Sequence, residues 1–118
     1  MADHGLFVGF GWPVRGREQN AAKVFNEAIG LWTKLQNEGA IESWEAIFLE
    51  PHGGDLGGFF LLRGDRAKLA QLRASDEMAQ LNLRAGLIVQ RFGVVGADLG
   101  ERVGQQMAAW QEAVEELA

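Results

Sequence analysis

Residues 57–78 read GGFFLLRGDRAKLAQLRASDEM. An apolar run, GGFFLL at 57–62, reads as a strand, and Asp65 stands at the N-cap position of a helix running through Leu69 and Leu72. Ser75 restarts the helix, and Met78, Leu81 and Leu83 continue it to Gly86. A strand followed by a broken helix is half of a β-α-β unit, and its surroundings supply the rest.

Upstream, IESWEAIFL at 41–49, bounded by Pro51, predicts a strand joined to 57–62 as a hairpin through the PHGGD turn. Before it, Ala21, Phe25, Ala28, Trp32 and Leu35 recur at helical spacing from Glu18 to Glu38, and Gly39 occupies the left-handed cap position. LFVGFGW at 6–12 has no polar side chain and is stopped by Pro13, which predicts a strand buried on both faces. Downstream, LIVQRFGVV at 87–95 predicts a fourth strand. Past Gly100, Val103, Met107, Trp110, Val114 and Leu117 give a terminal amphipathic helix with a narrow apolar seam.

The order β-α-β-β-α-β plus a helix predicts an α+β, ferredoxin-like sandwich with a four-stranded antiparallel sheet. It is read as one domain over 1–118, with a core at 5–96 and the C-terminal helix at 100–117. Right-handed crossovers put both main helices on one sheet face. The other face should then meet water and alternate apolar with polar, yet three of the strands are nearly all apolar. Something covers that face: the terminal helix or a second subunit.

On this order, on its two-sided strands and on the stretch 57–78, the sequence resembles the dimeric α+β barrel superfamily over roughly residues 5–96. There, two ferredoxin-like subunits press their sheets together. The resemblance implies a homodimer through sheet faces; the third helix, outside the matched 5–96, is predicted to pack at an edge or across the partner. It spans cofactor-independent monooxygenases, isomerases, haem enzymes and proteins of unknown role, and no catalytic motif carries over. His52 sits on a turn, so no haem and no other cofactor is expected.

Composition narrows the chemistry. Of 118 residues 11 are Lys or Arg and 16 Asp or Glu, a net charge of −5 that argues against nucleic acid, whose backbone requires a basic face. The absence of cysteine removes thiolate chemistry and disulfides and fits a cytoplasmic setting. No apolar run reaches the ~20 residues of a membrane span, and MADHGLF lacks the form of a signal peptide. Ser43, Ser75 and Thr33 are the sole hydroxyl residues, so acyl-transfer motifs are absent. Gly9-Phe10-Gly11 has Val14 where a dinucleotide fingerprint needs a third glycine.

Glu45 and Arg91 are charges among apolar strand neighbours, and a buried charge is costly unless paired. Strand alternation groups Ser43 with Glu45 toward the second sheet face and Trp44 with Phe48 under the helices; Arg91 shares a face with Val95, and Gln90 the opposite one. Together they describe an apolar cleft holding one carboxylate and one guanidinium; the alternative is a structural ion pair, or an edge charge that deters aggregation. His52 reads as a turn residue able to act as a base at a cleft mouth. Glu50, His52 and Asp55 are ligand types on one short loop, but no metal site is expected. Arg15 and Arg17 precede the first helix, where an anion could join them to its free amides, or where they simply face water. Trp12 is placed at a cavity mouth, and His4 in a frayed terminus without a role. Function then divides between a small-molecule-binding or accessory protein with an apolar cleft and, alternatively, a cofactor-independent monooxygenase- or isomerase-like enzyme acting on an apolar or aromatic compound.

Overall fold

The computed structural model describes residues 2–118. Its elements are β1 (His4–Phe10), α1 (Glu18–Asn37), β2 (Ser43–Phe48), β3 (Gly58–Gly64), α2 (Arg66–Arg73), α3 (Asp76–Gly86), β4 (Gly93–Asp98) and α4 (Glu101–Leu117). The strands form one antiparallel sheet in the order β2-β3-β1-β4. Register pairs Leu6 with Leu62 and Val8 with Phe60, and β4 joins the far side of β1 through Val8 and Val94.

Local chemistry sets the helix ends. Past α1, Gly39 takes φ +79, its N–H reaches Gln36 O, and Ala40 N–H reaches Leu35 O at 2.9 Å. These two bonds satisfy the last carbonyls in a Schellman motif, which glycine enters without a Cβ clash. The Asp65 carboxylate accepts from Lys68 N–H, and Ser75 Oγ accepts from Met78 N–H, so the break between α2 and α3 is a second N-cap.

Even-numbered residues of β1 and β3 (Leu6, Val8, Phe60 and Leu62) point at the helices and are buried with Trp32, Leu69 and Met78. The opposite face carries Phe7, Ile47, Phe59, Leu61 and Val95, with Phe7 and Phe59 rings 4.9 Å apart. The terminal helix does not cover this face: α4 buries none of its residues. The radius of gyration is 16.2 Å, against about 13.5 Å for a compact chain of this length.

Three sequence expectations require correction. The first strand begins at His4 and ends at Phe10, so His4 is not frayed; its ring lies 3.7 Å from the Asp98 carboxylate. The fourth strand spans Gly93–Asp98 rather than 87–95. Leu87 caps α3, and residues 88–90 bond instead to the segment that follows β1, through Gly11 N–H to Gln90 O, Gln90 N–H to Trp12 O, and Val14 N–H to Ile88 O. Arg91 therefore lies outside the strand, in a bend, at φ +53.

Candidate functional site

One end of the sandwich is open. Between α1, the α3–β4 link and the sheet lies a cavity of about 500 Å³, within the ~300–1,000 Å³ range of small-molecule sites. Phenylalanines drawn from four elements, with Phe92 of the link, share its walls with aliphatic side chains. Phe25 of α1 stacks on Phe60 of β3 at 4.9 Å and on Phe48 of β2 at 5.3 Å. Phe10 of β1 meets Phe25 edge-on at 6.2 Å. Register explains the convergence, because Phe10 and Phe48 both pair with Gly58, and the helix stripe sets Phe25 above them.

Two glycines keep this end closely packed. A Cβ on Gly11 would sit 2.8 Å from Gln90 O and 2.9 Å from Asp55 O, and one on Gly58 would sit 2.5 Å from Ile47 O. The rim is formed by exposed rings: Trp12 is 48% exposed and Phe48 70%. Glu18 and Asn26, eight residues apart on α1, are the polar side chains in the lining. Glu18 Oε2 accepts from Gly16 N–H at 3.1 Å. Hydrogen bonds from its own backbone N–H and then from Gly16 hold its carboxyl below the usual glutamate value. At neutral pH it is ionised: an acceptor at the rim and a weak base.

Of the residues singled out in sequence, Trp12 lines the cavity at its rim. Glu45 and Arg91 are not brought together. Glu45 faces away from the helices, as alternation predicted, and accepts from Arg63 at 2.7 Å. Arg91 pairs with Asp55 at 3.3 Å, both about 70% exposed, because its bend turns it toward the β2–β3 loop. Ser43 shares the Glu45 face, remote from the cavity, and Gln90 contributes its backbone rather than its side chain. His52 braces its own loop, with Nε2 2.9 Å from Leu56 O and Nδ1 accepting from Gly54 N–H. Both ring nitrogens are engaged, which removes it from the cleft mouth. Arg15 is exposed, and Arg17 lines a separate shallow cleft with Lys23 and Arg84. Among the described residues no cluster of three metal-ligating side chains forms, and no helix is long and apolar enough to cross a membrane.

The sequence reading missed Phe10, Phe25, Phe48 and Phe60 as a set. Their signal was present, because Phe10, Phe48 and Phe60 fall on helix-facing strand positions and Phe25 on the apolar stripe of α1. The two central charges drew the reading to the opposite face instead.

No family model and no curated protein matches the chain. Solved structures do. It has the ferredoxin-like fold. A protein of unknown function from Nitrosomonas europaea, NE2512, is 21% identical over 84% of this chain and 90% of its own, with a TM-score of 0.60. A dimeric ferredoxin-like protein of unknown function from Bacteroides fragilis is 8% identical over 82% of this chain and 97% of its own (TM-score 0.58). SnoaB, a cofactor-independent oxygenase from Streptomyces nogalater, is 11% identical over 84% and 95% (TM-score 0.53). These likenesses establish the architecture shared with dimeric ferredoxin-like and monooxygenase-like proteins.

Proposed function

We propose that this protein is a homodimeric small-molecule-binding protein whose ligand is a flat, apolar, aromatic compound held between helices and sheet. The observation that carries the reading is the cavity of about 500 Å³ walled by stacked phenylalanines, with its polar side chains confined to one helix. Such walls reward ring stacking and desolvation, and Glu18 at the rim would fix the end of a ligand that bears a hydroxyl or amine donor, with Asn26 about 12 Å further along α1. The dimer reading rests on the uncovered apolar sheet face and on the dimeric state of ferredoxin-like neighbours.

The sequence alternative, an oxygenase without cofactor, has structural company in the Streptomyces protein. Binding is preferred because the one carboxylate of the lining accepts from Gly16 N–H, which weakens it as a base, and His52 is committed to its loop.

The test is a titration with 2-naphthol, followed by Trp fluorescence and thermal unfolding, on the native chain and on Ala22→Trp. Ala22 lines the cavity from an exposed helix position, so the larger ring fills the mouth without entering the core. The native chain is expected to bind saturably and to gain about 2.7 kcal/mol of stability at a hundredfold excess over Kd. Ala22→Trp should lose at least tenfold in affinity. Equal binding by both chains, or none by either, overturns the site; naphthol-dependent oxygen uptake replaces binding with oxygenation.

A further inference from the structure

The terminal helix presents an apolar seam with nothing against it. Val103, Met107, Trp110, Val114 and Leu117 are between 46% and 85% exposed, and no residue of α4 is buried. A 17-residue helix with Gly104 inside it is marginal in water on propensity alone, so its persistence calls for a surface that takes up the seam. We infer that α4 is an intermolecular arm, whose seam docks on a second copy of this chain and completes the interface that the outer sheet face begins. This rests on the sheet-to-sheet dimer proposed above and adds to it.

Three observations select a second copy. The first is continuity: α4 leaves the sheet through Leu99, whose Cδ1 lies 3.1 Å from the position a Cβ on Gly5 would take, beside Leu61. The seam thus starts at the apolar face itself. The second is area. Four strands ~4.8 Å apart and about 20 Å long make a footprint of roughly 400 Å². A stable dimer buries about 800 Å² of accessible surface per partner. The seam of a helix ~25 Å long and ~10 Å wide adds roughly 250 Å², more than a third of the combined footprint. Two such patches meet through one two-fold axis, each arm lying on the other subunit. The third is charge. α4 carries Glu101, Glu112, Glu115 and Glu116 against Arg102, the wrong sign for an anionic lipid surface.

The test compares the full-length native chain with the double variant Met107→Glu/Trp110→Glu by sedimentation across a concentration series. Hydrogen exchange of residues 101–117 is followed at the same concentrations. Both positions are exposed in the single chain, so the variant leaves the monomer core untouched. The arm predicts a native dimer, at least tenfold weaker self-association in the variant, and protection of 101–117 that disappears on dilution. Equal dimerisation of both chains removes the arm and leaves the sheet dimer standing. A native chain that stays monomeric at every concentration removes both. Protection that persists in a dilute monomer places α4 on its own subunit and also overturns the arm.

Discussion

Arg91 holds a left-handed backbone, φ +53, for the sake of a turn rather than a side-chain role. A non-glycine residue there costs on the order of 1 kcal/mol, and its ion pair with Asp55, exposed on both sides, returns at most about that much. Arg91→Gly removes both effects together, while glycine adds freedom to the unfolded chain. Urea unfolding of Arg91→Gly is therefore expected to stay within about 1 kcal/mol of the native chain, and naphthol affinity should be unchanged. A tenfold fall in affinity would return Arg91 to the site. The apolar run around Arg91 reads equally as a strand or as a helix end with its link, since short apolar runs do not distinguish them. The positive φ leaves no mark in an arginine. Glu45 differs: its face follows from strand alternation and was legible. Its partner, Arg63, sits opposite Ser43 one strand away, and pairing across strands depends on a register that the sequence leaves open.

The break between α2 and α3 shows an element boundary written in the chain itself. Ser75 Oγ accepts from Met78 N–H at 3.2 Å and donates to Leu72 O at 2.6 Å, ending one helix and starting the next. Asp76 and Glu77 follow in the first turn, where negative charge suits the helix dipole. Ser75→Ala is expected to lower stability by about 1 kcal/mol, as loss of an N-cap does, and Ser75→Asp to recover most of it. Denaturant midpoints at constant m-value measure both. An alanine variant as stable as the native chain would show that packing of Leu72 and Met78 alone sets the break. Caps and helix stripes were readable because each depends on residues within four positions. The limits of β1 and β4 depended on which distant segment took the hydrogen bonds of residues 11–14 and 88–90, and that competition has no local signal.

At the scale of the molecule, the helix layer is tied above the cavity by two ion pairs between α1 and α3. Arg84 donates twice to Glu27, at 2.9 and 2.8 Å, and Lys34 donates to Glu77 at 3.1 Å. The Arg84 hydrogen bond holds the Glu27 carboxyl below its ordinary 4.5, and the Glu77 hydrogen bond lifts Lys34 above 10.5. A lowered carboxyl contributes stability that is fully present above its unfolded value and is lost as pH falls through the folded one. A raised amine contributes below its unfolded value and loses the contribution as pH rises through the folded one. Both ties therefore hold across the interval from about 4.5 to 10.5. Glu27→Gln should lie below the native chain in urea midpoint at pH 7, and the two curves should converge as pH falls below 4.5. Because both pairs are solvent-exposed, molar salt should narrow the gap at pH 7. A gap that stays constant from pH 7 to pH 3 would mean that the substitution disturbs packing instead. Since Glu27 and Arg84 lie in the same two helices that roof the phenylalanine cavity, Glu27→Gln should also weaken naphthol affinity at pH 7. A Glu27→Gln chain that keeps full affinity at pH 7 while its stability falls would uncouple the roof from the site.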